Sequence, residues 1–443
     1  MEIPENLIAK YNLPVPRYTS YPPANFFHSN FTAGEYKKAI TDSNSEWPAN
    51  ISIYIHIPFC YKLCYFCGCN SHLTRDTNKI NNYTEALKKE ILMVKKLLDP
   101  SRKVSQVHWG GGTPNSLPAY MVAGIMELIK DNFSFTEQPE IAIECHPALL
   151  DESYIQKLIT AGFNRFSLGI QDFREDVLAN VNRDAPKIPV EEIVSEIKSY
   201  EGTGVNLDFI YGLPFQTINT FSETIEKAVK ISPDRLVTFS YAHVPWIKKA
   251  QKILELKGLP EAKEKLGMFN AGYEILTANG YTPIGLDHYA KNDDELSIAL
   301  KNRKLHRNFQ GYCTRETTGQ VYAFGATGIS QLETVYAQNE KDPYKYTDIM
   351  NSGNFATAKG YKVSLKEKII RHVITEIMCN EYVSLQEAGD IFKMPVEKIQ
   401  TIIGFSEKNF EDLVKDGLLI TENDTIFKVT ESGRFFIRII ASK

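Results

Sequence analysis

Four cysteines fall within ten positions of Tyr54-Ile-His-Ile-Pro-Phe-Cys60-Tyr-Lys-Leu-Cys64-Tyr-Phe-Cys67-Gly-Cys69-Asn70, directly after a β-like run. Nothing in the chain marks it for export, and thiols in a reducing compartment do not pair as disulfides. A metal or iron–sulfur site is the ordinary alternative. The C-x3-C-x2-C spacing of Cys60, Cys64 and Cys67 offers three thiolates. Soft sulfur suits iron, and a cubane of four irons held by three thiolates keeps one iron open to a further ligand. Structural zinc is the competing reading, although zinc normally takes four ligands in two paired knuckles. We read Cys60, Cys64 and Cys67 as cluster ligands, and the isolated Cys145, Cys313 and Cys379 as small buried apolar residues.

Such a loop needs a scaffold, and the surrounding periodicity supplies one. Short β-rich runs at Ile51–Ile57, Gln106–Gly110, Glu140–Cys145, Arg165–Ile170, Val205–Tyr211 and Arg235–Tyr241 alternate with helix-like stretches, among them Ile80–Leu98, Leu117–Asn132, Asp151–Ala161 and Phe221–Ile231. This alternation predicts an α/β fold, a partial, barrel-like (β/α)6 sheet with helices outside and right-handed crossovers. In such sheets chemistry collects at the carboxyl ends of the strands. There lie the cysteine loop, Gly110-Gly111-Gly112-Thr113-Pro114, Glu144, Gln171, Asp208 and Tyr241-Ala242-His243. Further along, Glu261–Gly280 reads as a helix and Tyr281–Asp287 as a strand, while Leu305–Tyr312 and Ala323–Ser330 read as glycine-rich loops.

The division expected is an N-terminal arm over 1–34, a catalytic domain over 35–345 and a C-terminal unit over 346–443. The arm, with Val15-Pro16-Arg17-Tyr18-Thr19-Ser20-Tyr21-Pro22-Pro23-Ala24, is too rich in proline for a helix and too aromatic for a free tail, so an extended strap or lid is expected. In the last part Leu365–Cys379, Ser384–Phe392 and Glu407–Asp416 look helical and are followed by a hairpin of Gly417–Thr421 with Ile426–Thr430, a winged-helix-like pattern. It carries no concentrated basic stripe, and a net charge of -4 gives no bulk attraction to nucleic acid or anionic membrane. With no basic-then-apolar start and no long apolar run, no signal peptide or membrane span is expected; seven cysteines suit a reducing cytoplasm.

A glycine triplet after a strand lets a ligand approach the backbone. Glu144 and Asp208 suit hydroxyls or an ammonium group, and the planar fork of Arg183 suits a carboxylate.

On the Cys60-x3-Cys64-x2-Cys67 motif the chain resembles the radical S-adenosylmethionine superfamily. That resemblance implies a [4Fe-4S] cluster whose open iron chelates S-adenosylmethionine, and casts His108–Pro114 as the loop holding the cofactor's methionine part. Pro16-Arg-Tyr-Thr-Ser-Tyr-Pro22, Pro58–Asn70, Gly169-Ile-Gln-Asp-Phe173, Asp208-Phe-Ile-Tyr-Gly-Leu-Pro214 and His306-Arg-Asn-Phe-Gln-Gly-Tyr312 narrow it to the oxygen-independent coproporphyrinogen III oxidase family. That family oxidatively decarboxylates two propionates of coproporphyrinogen III to give protoporphyrinogen IX. Carried over, the resemblance implies two cofactor molecules. Tyr54, Gly111, Glu144 and Ile329 match positions on the first; Phe66, Gly112, Thr113, Gln171, Arg183, Asp208 and Ala242 match positions on the second. Cys69 matches a family cysteine that is not a cluster ligand, with a redox or proton role or a packing role. Where the familiar bacterial pattern reads Glu-Val-Asp-Pro-Arg, this chain has Glu144-Cys145-His146-Pro147-Ala148.

A tetracarboxylate substrate asks for cations, and Arg17, His306 and Arg307 are the candidate anchors. A monomer served by a reduced electron donor such as flavodoxin or a reductase is expected. The rival readings are a related radical methyltransferase or haem-opening enzyme, and a haem-trafficking cluster protein, whose relatives typically lack a counterpart of Cys69 and the arm.

Overall fold

The computed structural model describes residues 5–443; the first four residues of the expected arm lie outside them. The strands that carry the site are β1 (Ile51–Ile57), β2 (Lys103–Gly111), β3 (Ser134–Cys145), β4 (Arg165–Gln171), β5 (Gly204–Tyr211) and β6 (Arg235–Ser240). They are followed by β7 (Tyr281–Ile284), β8 (His288–Lys291), the hairpin β9 (Leu305–Arg307) and β10 (Tyr312–Thr314), then β11 (Gln320–Phe324), β12 (Ile329–Gln331), β13 (Val335–Asn339) and β14 (Thr357–Lys362). Twelve of these form one open sheet in the order β14-β13-β12-β11-β1-β2-β3-β4-β5-β6-β8-β7. From β11 to β6 the neighbours are parallel, and both flanks are antiparallel. Strand β1 is buried along nearly its whole length, as a parallel strand covered on both faces must be.

Two loop expectations are corrected. Ala323-Phe324 ends β11, and Ile329-Ser330 opens β12. Strand β11 pairs with the free edge of β1 from Ile51↔Gln320 to Ile55↔Phe324, so a partner about 270 residues away in sequence makes it a strand. Leu305–Tyr312 likewise holds β9 and the start of β10. The Tyr281–Asp287 strand stops at Ile284 and turns back into β8.

Helices Thr77–Lys95, Ala119–Asn132, Glu152–Thr160, Val190–Lys198, Ile218–Ile231 and Ala262–Ala278 cover the sheet. Their starts are written in side chains: Asp76 accepts from the Asn78 and Lys79 amides, and Thr217 with Thr220 closes a capping box. The sheet core extends through Tyr346, Met350 and Ala356, beyond the division expected at 346. A second core gathers Ile369, Val373, Leu385, Ile399, Leu413, Phe427 and Ile437 with Tyr11 of the arm. It combines the Leu365–Asn380, Leu385–Phe392 and Val396–Ile403 helices with a three-stranded sheet of Tyr382–Ser384, Ile426–Val429 and Leu419–Glu422. No helix among the described residues is long and apolar enough to cross a membrane.

Candidate active site

The cysteine loop leaves β1 through Pro58 and is pinned on several sides. Phe59-Cys60 pairs with His72-Leu73 in a short parallel ladder. The Tyr65 amide donates to the Val181 carbonyl, and Asn182 donates to the Leu63 carbonyl. This holds Cys60, Cys64 and Cys67 along one cavity of about 170 Å³. Cys60 Sγ lies 3.2 Å from Thr113 Oγ1, Arg183 Nη1 points at Cys64 Sγ from 3.6 Å, and Ser71 Oγ is 4.0 Å from Cys67 Sγ. Burial pushes the Cys60 thiol up to about 11 and raises Cys64 against the pull of Arg183, whereas the Cys69 hydrogen bond lowers Cys67 to about 6. The three sulfurs border a space instead of closing on a point: among the described residues no three His, Cys, Asp or Glu side chains could hold one metal ion. Three soft donors around a cavity fit a multi-iron cluster with an open position.

The glycine triplet fits the same cavity. A Cβ on Gly112 would stand 2.9 Å from the Pro58 backbone carbon and 3.0 Å from Cys60 Sγ, and one on Gly110 would stand 2.7 Å from Glu144 Oε1. Gly111 adopts φ +115, where a side chain is strained. Backbone therefore runs bare beside the thiols, leaving the Gly112 amide bonded to Ile57. Across the gap, His108 Nε2 donates to Glu144 Oε1 at 3.1 Å.

The rest of the cavity is lined by Phe66, Thr113, Gln171, Arg183 and Asp208, with Cys69 beside the other cysteines. A register shift between Gly169 and Gln171, with Gln171 at φ 70, turns the Gln171 side chain at the strand end. Arg183 donates to the Gly169 carbonyl. Burial raises Asp208 to about 6, opposed by a 2.6 Å hydrogen bond from Ser167. Three expected cofactor residues do not line this cavity. Tyr54 bonds to His56 at 3.1 Å and stacks on His108. Ala242 is exposed, with its carbonyl held by Gln251. Ile329 sits beside Phe27 and Tyr336. Lining residues not foreseen are Lys62, Leu63, Ser71, Cys145 and Ser167. Of these only Ser167 had a signal, since it points to the Asp208 side of an alternating strand.

The Cys145-His146-Pro147-Ala148 departure also reaches the cavity. The His146 backbone exchanges two hydrogen bonds with the Asn115 side-chain amide, and its Nδ1 accepts from the Ala148 amide at 3.2 Å. Burial, with Arg183 nearby, lowers the imidazole to about 3, so it is a neutral brace.

The candidate anchors separate. Arg17 Nη2 meets Asp287 Oδ2 at 2.9 Å, and His288 Nδ1 meets the other oxygen at 2.7 Å. Arg307 lies over the Tyr312 ring at 4.6 Å with no carboxylate within ion-pair distance among the described residues. Burial would raise Asp287, but His288, Arg307 and Arg17 together hold it at about 2. His306 takes the opposite face of β9, where burial and the charges of Arg315, Arg371 and His372 lower it to about 4.

A family model described as the Radical SAM superfamily matches residues 54–228. An oxygen-independent coproporphyrinogen III oxidase of Synechocystis sp. is 41% identical over 443 residues, covering 100% of this chain and 94% of that protein. The Escherichia coli protein of the same name is 38% identical over 441 residues, covering 98% and 93%. The solved structure of coproporphyrinogen III oxidase from Escherichia coli, described as a radical SAM enzyme, matches with a TM-score of 0.91 at 36% identity over 99% of this chain and 98% of that one.

Proposed function

The chain belongs to the oxygen-independent coproporphyrinogen III oxidases, radical S-adenosylmethionine enzymes that use a [4Fe-4S] cluster, and from that premise we propose that it converts two propionates of coproporphyrinogen III to vinyl groups in haem biosynthesis. A [4Fe-4S] cluster held by Cys60, Cys64 and Cys67, with S-adenosylmethionine bound beside it, would supply the radical chemistry for removing a hydrogen atom from the propionate β-carbon.

The residues hold and orient. Cys60, Cys64 and Cys67 take the cluster, and the bare backbone at Gly111 and Gly112 admits the methionine part of a cofactor beside Glu144. Phe66, Thr113, Gln171, Arg183 and Asp208 line the same cavity and form the place for a second cofactor molecule. Tyr54 and Ile329 are assigned to the first molecule and Ala242 to the second on family resemblance alone. Cys69, hydrogen-bonded to Cys67, is assigned a proton or redox role. Arg307, with no carboxylate at ion-pair distance among the described residues, and Arg17, paired with Asp287, are the anchors for a propionate; His306 lies on the opposite face of β9. The arm, over its described residues 5–34, and the C-terminal unit cover a catalytic part that acts as a monomer in the cytoplasm, fed by a reduced electron carrier.

The observation that carries this reading is the meeting of three cluster thiols, a side-chain-free loop and Asp208 on one cavity. The test is anaerobic: the reconstituted protein receives reductant, S-adenosylmethionine and coproporphyrinogen III, and porphyrinogen masses are followed. Two successive losses of formic-acid mass with deoxyadenosine formed are expected. Deoxyadenosine without a mass change would move the substrate elsewhere.

A further inference from the structure

The segment after β6 has two unlike faces. Its inner face fastens the cysteine loop: Leu254 packs with Tyr241 and Phe66. Gln251 donates to the Phe66 carbonyl at 2.9 Å, and Lys248 Nζ donates to the Cys69 carbonyl at 2.6 Å. Its outer face leaves large apolar groups in water, with Trp246 74% exposed, Ile247 67% and Leu256 90%. Exposed Lys249 and Lys252 stand among them, and neither has a carboxylate partner among the described residues. The nearest acid in the segment, Glu255, is taken by His243 at 2.8 Å. A cationic, apolar patch thus lies on a chain whose net charge is -4, over the loop that holds the cluster thiols.

We propose that Trp246, Ile247, Lys249, Lys252 and Leu256 form the docking surface for an acidic one-electron carrier protein. The inference rests on the radical-enzyme reading, because a cluster that must be reduced needs an electron from outside the chain. Exposed aromatic and aliphatic groups ringed by cations match a partner whose redox group sits in an apolar rim among carboxylates: the apolar contacts give affinity, and the lysines steer encounter. Docking here brings the carrier onto the far side of a segment that touches the cysteine loop at Phe66 and Cys69. The transfer is a single electron: the carrier is oxidised by one electron, the cluster is reduced by one, and no atom or proton changes hands.

The test uses the full-length, reconstituted protein and reduced flavodoxin as probe, with cluster bleaching followed in an anaerobic stopped-flow instrument. For Trp246→Ser, and separately for Lys249→Glu with Lys252→Glu, carrier-driven reduction is expected to slow by about tenfold or more. The charge-reversed variant should also invert its dependence on ionic strength, with carrier-driven reduction speeding up instead of slowing as salt is added. Dithionite-driven deoxyadenosine formation should be unchanged in both. Carrier-driven reduction at the unaltered rate would overturn the proposal. So would an equal loss with dithionite accompanied by a raised KM for the porphyrinogen, which would make the patch a cover for substrate. A reducible cluster in the unaltered protein that yields no deoxyadenosine would instead overturn the radical-enzyme reading, because the bleaching rate reports docking without it.

Discussion

At the scale of single residues, the site is a set of groups placed where they lack their ordinary partners. Arg307 is a half-buried cation stacked on Tyr312 with no carboxylate at ion-pair distance among the described residues, and such a group is held ready for an anion. Arg307→Ala is expected to raise the KM for coproporphyrinogen III about tenfold or more, while cofactor cleavage in the absence of substrate stays as it was. Arg183 offers a donor to Cys64 Sγ at 3.6 Å while Gly169 fixes its other arm. Hydrogen bonds to the sulfurs raise a cluster's potential, so Arg183→Met should shift the cluster midpoint down by tens of mV, read by potentiometric titration with electron paramagnetic resonance. An unchanged midpoint would confine Arg183 to ligand binding.

At the scale of elements, strand ends and turns decide what can approach what. Gly112→Ala would push a methyl group to 2.9 Å from the Pro58 backbone and 3.0 Å from Cys60 Sγ. The loop must then shift, and iron content after reconstitution is expected to fall well below that of the unaltered protein. Glu90 ties the Thr77–Lys95 helix to the sheet, accepting from the Gly325 amide, Asn339 and Tyr346. Burial raises its carboxyl from 4.5 to about 7. The folded state therefore holds this proton more tightly than the unfolded chain. The associated stability is fully present below about pH 4.5 and is lost as pH rises through about 7, on the order of 3 kcal/mol. In Glu90→Gln this slope should vanish. The amide nitrogen would meet donors in a dry site, so stability at pH 8 should fall by about 1–3 kcal/mol in urea unfolding of the apo-protein.

At the scale of the whole molecule, the two cores are joined through the Leu365–Asn380 helix, where Asn380 exchanges hydrogen bonds with the Leu305 backbone and Glu376 pairs with Arg315. Phe435 also bridges the cores, with its ring 5.7 Å from Phe269 and 5.2 Å from Tyr273 on the Ala262–Ala278 helix. Next to it, Arg434 is held by Glu381 at 2.5 Å and 2.8 Å. The arm clasps both units, through Tyr11 in the second core and through the bridge of His28 with Gly360 in the sheet. Phe435→Ala is expected to cost about 1–3 kcal/mol and to open the C-terminal unit first, so hydrogen exchange should rise in residues 365–440 before it rises in β1 to β6.

From sequence alone came the cysteine motif, the six β/α units and the strand ends at which the glycine triplet, Glu144, Gln171 and Asp208 stand. Each of these is local: thiol spacing, a two- or 3.6-residue period, or a glycine after a strand is visible within one window. Strand β11 was hidden because its identity comes from pairing with β1, and Gly325 and Gly328 nearby read as a loop. The split between Arg307 and His306 was hidden for the opposite reason: neighbours in sequence take opposite faces of a strand, and only packing shows which face meets Asp287. The two-faced segment from Trp246 to Leu256 likewise has no meaning until folding lays it over the cysteine loop. Chain chemistry is written locally, whereas which groups share a cavity, an ion pair or a surface depends on contacts between distant residues, and those exist only in the folded molecule.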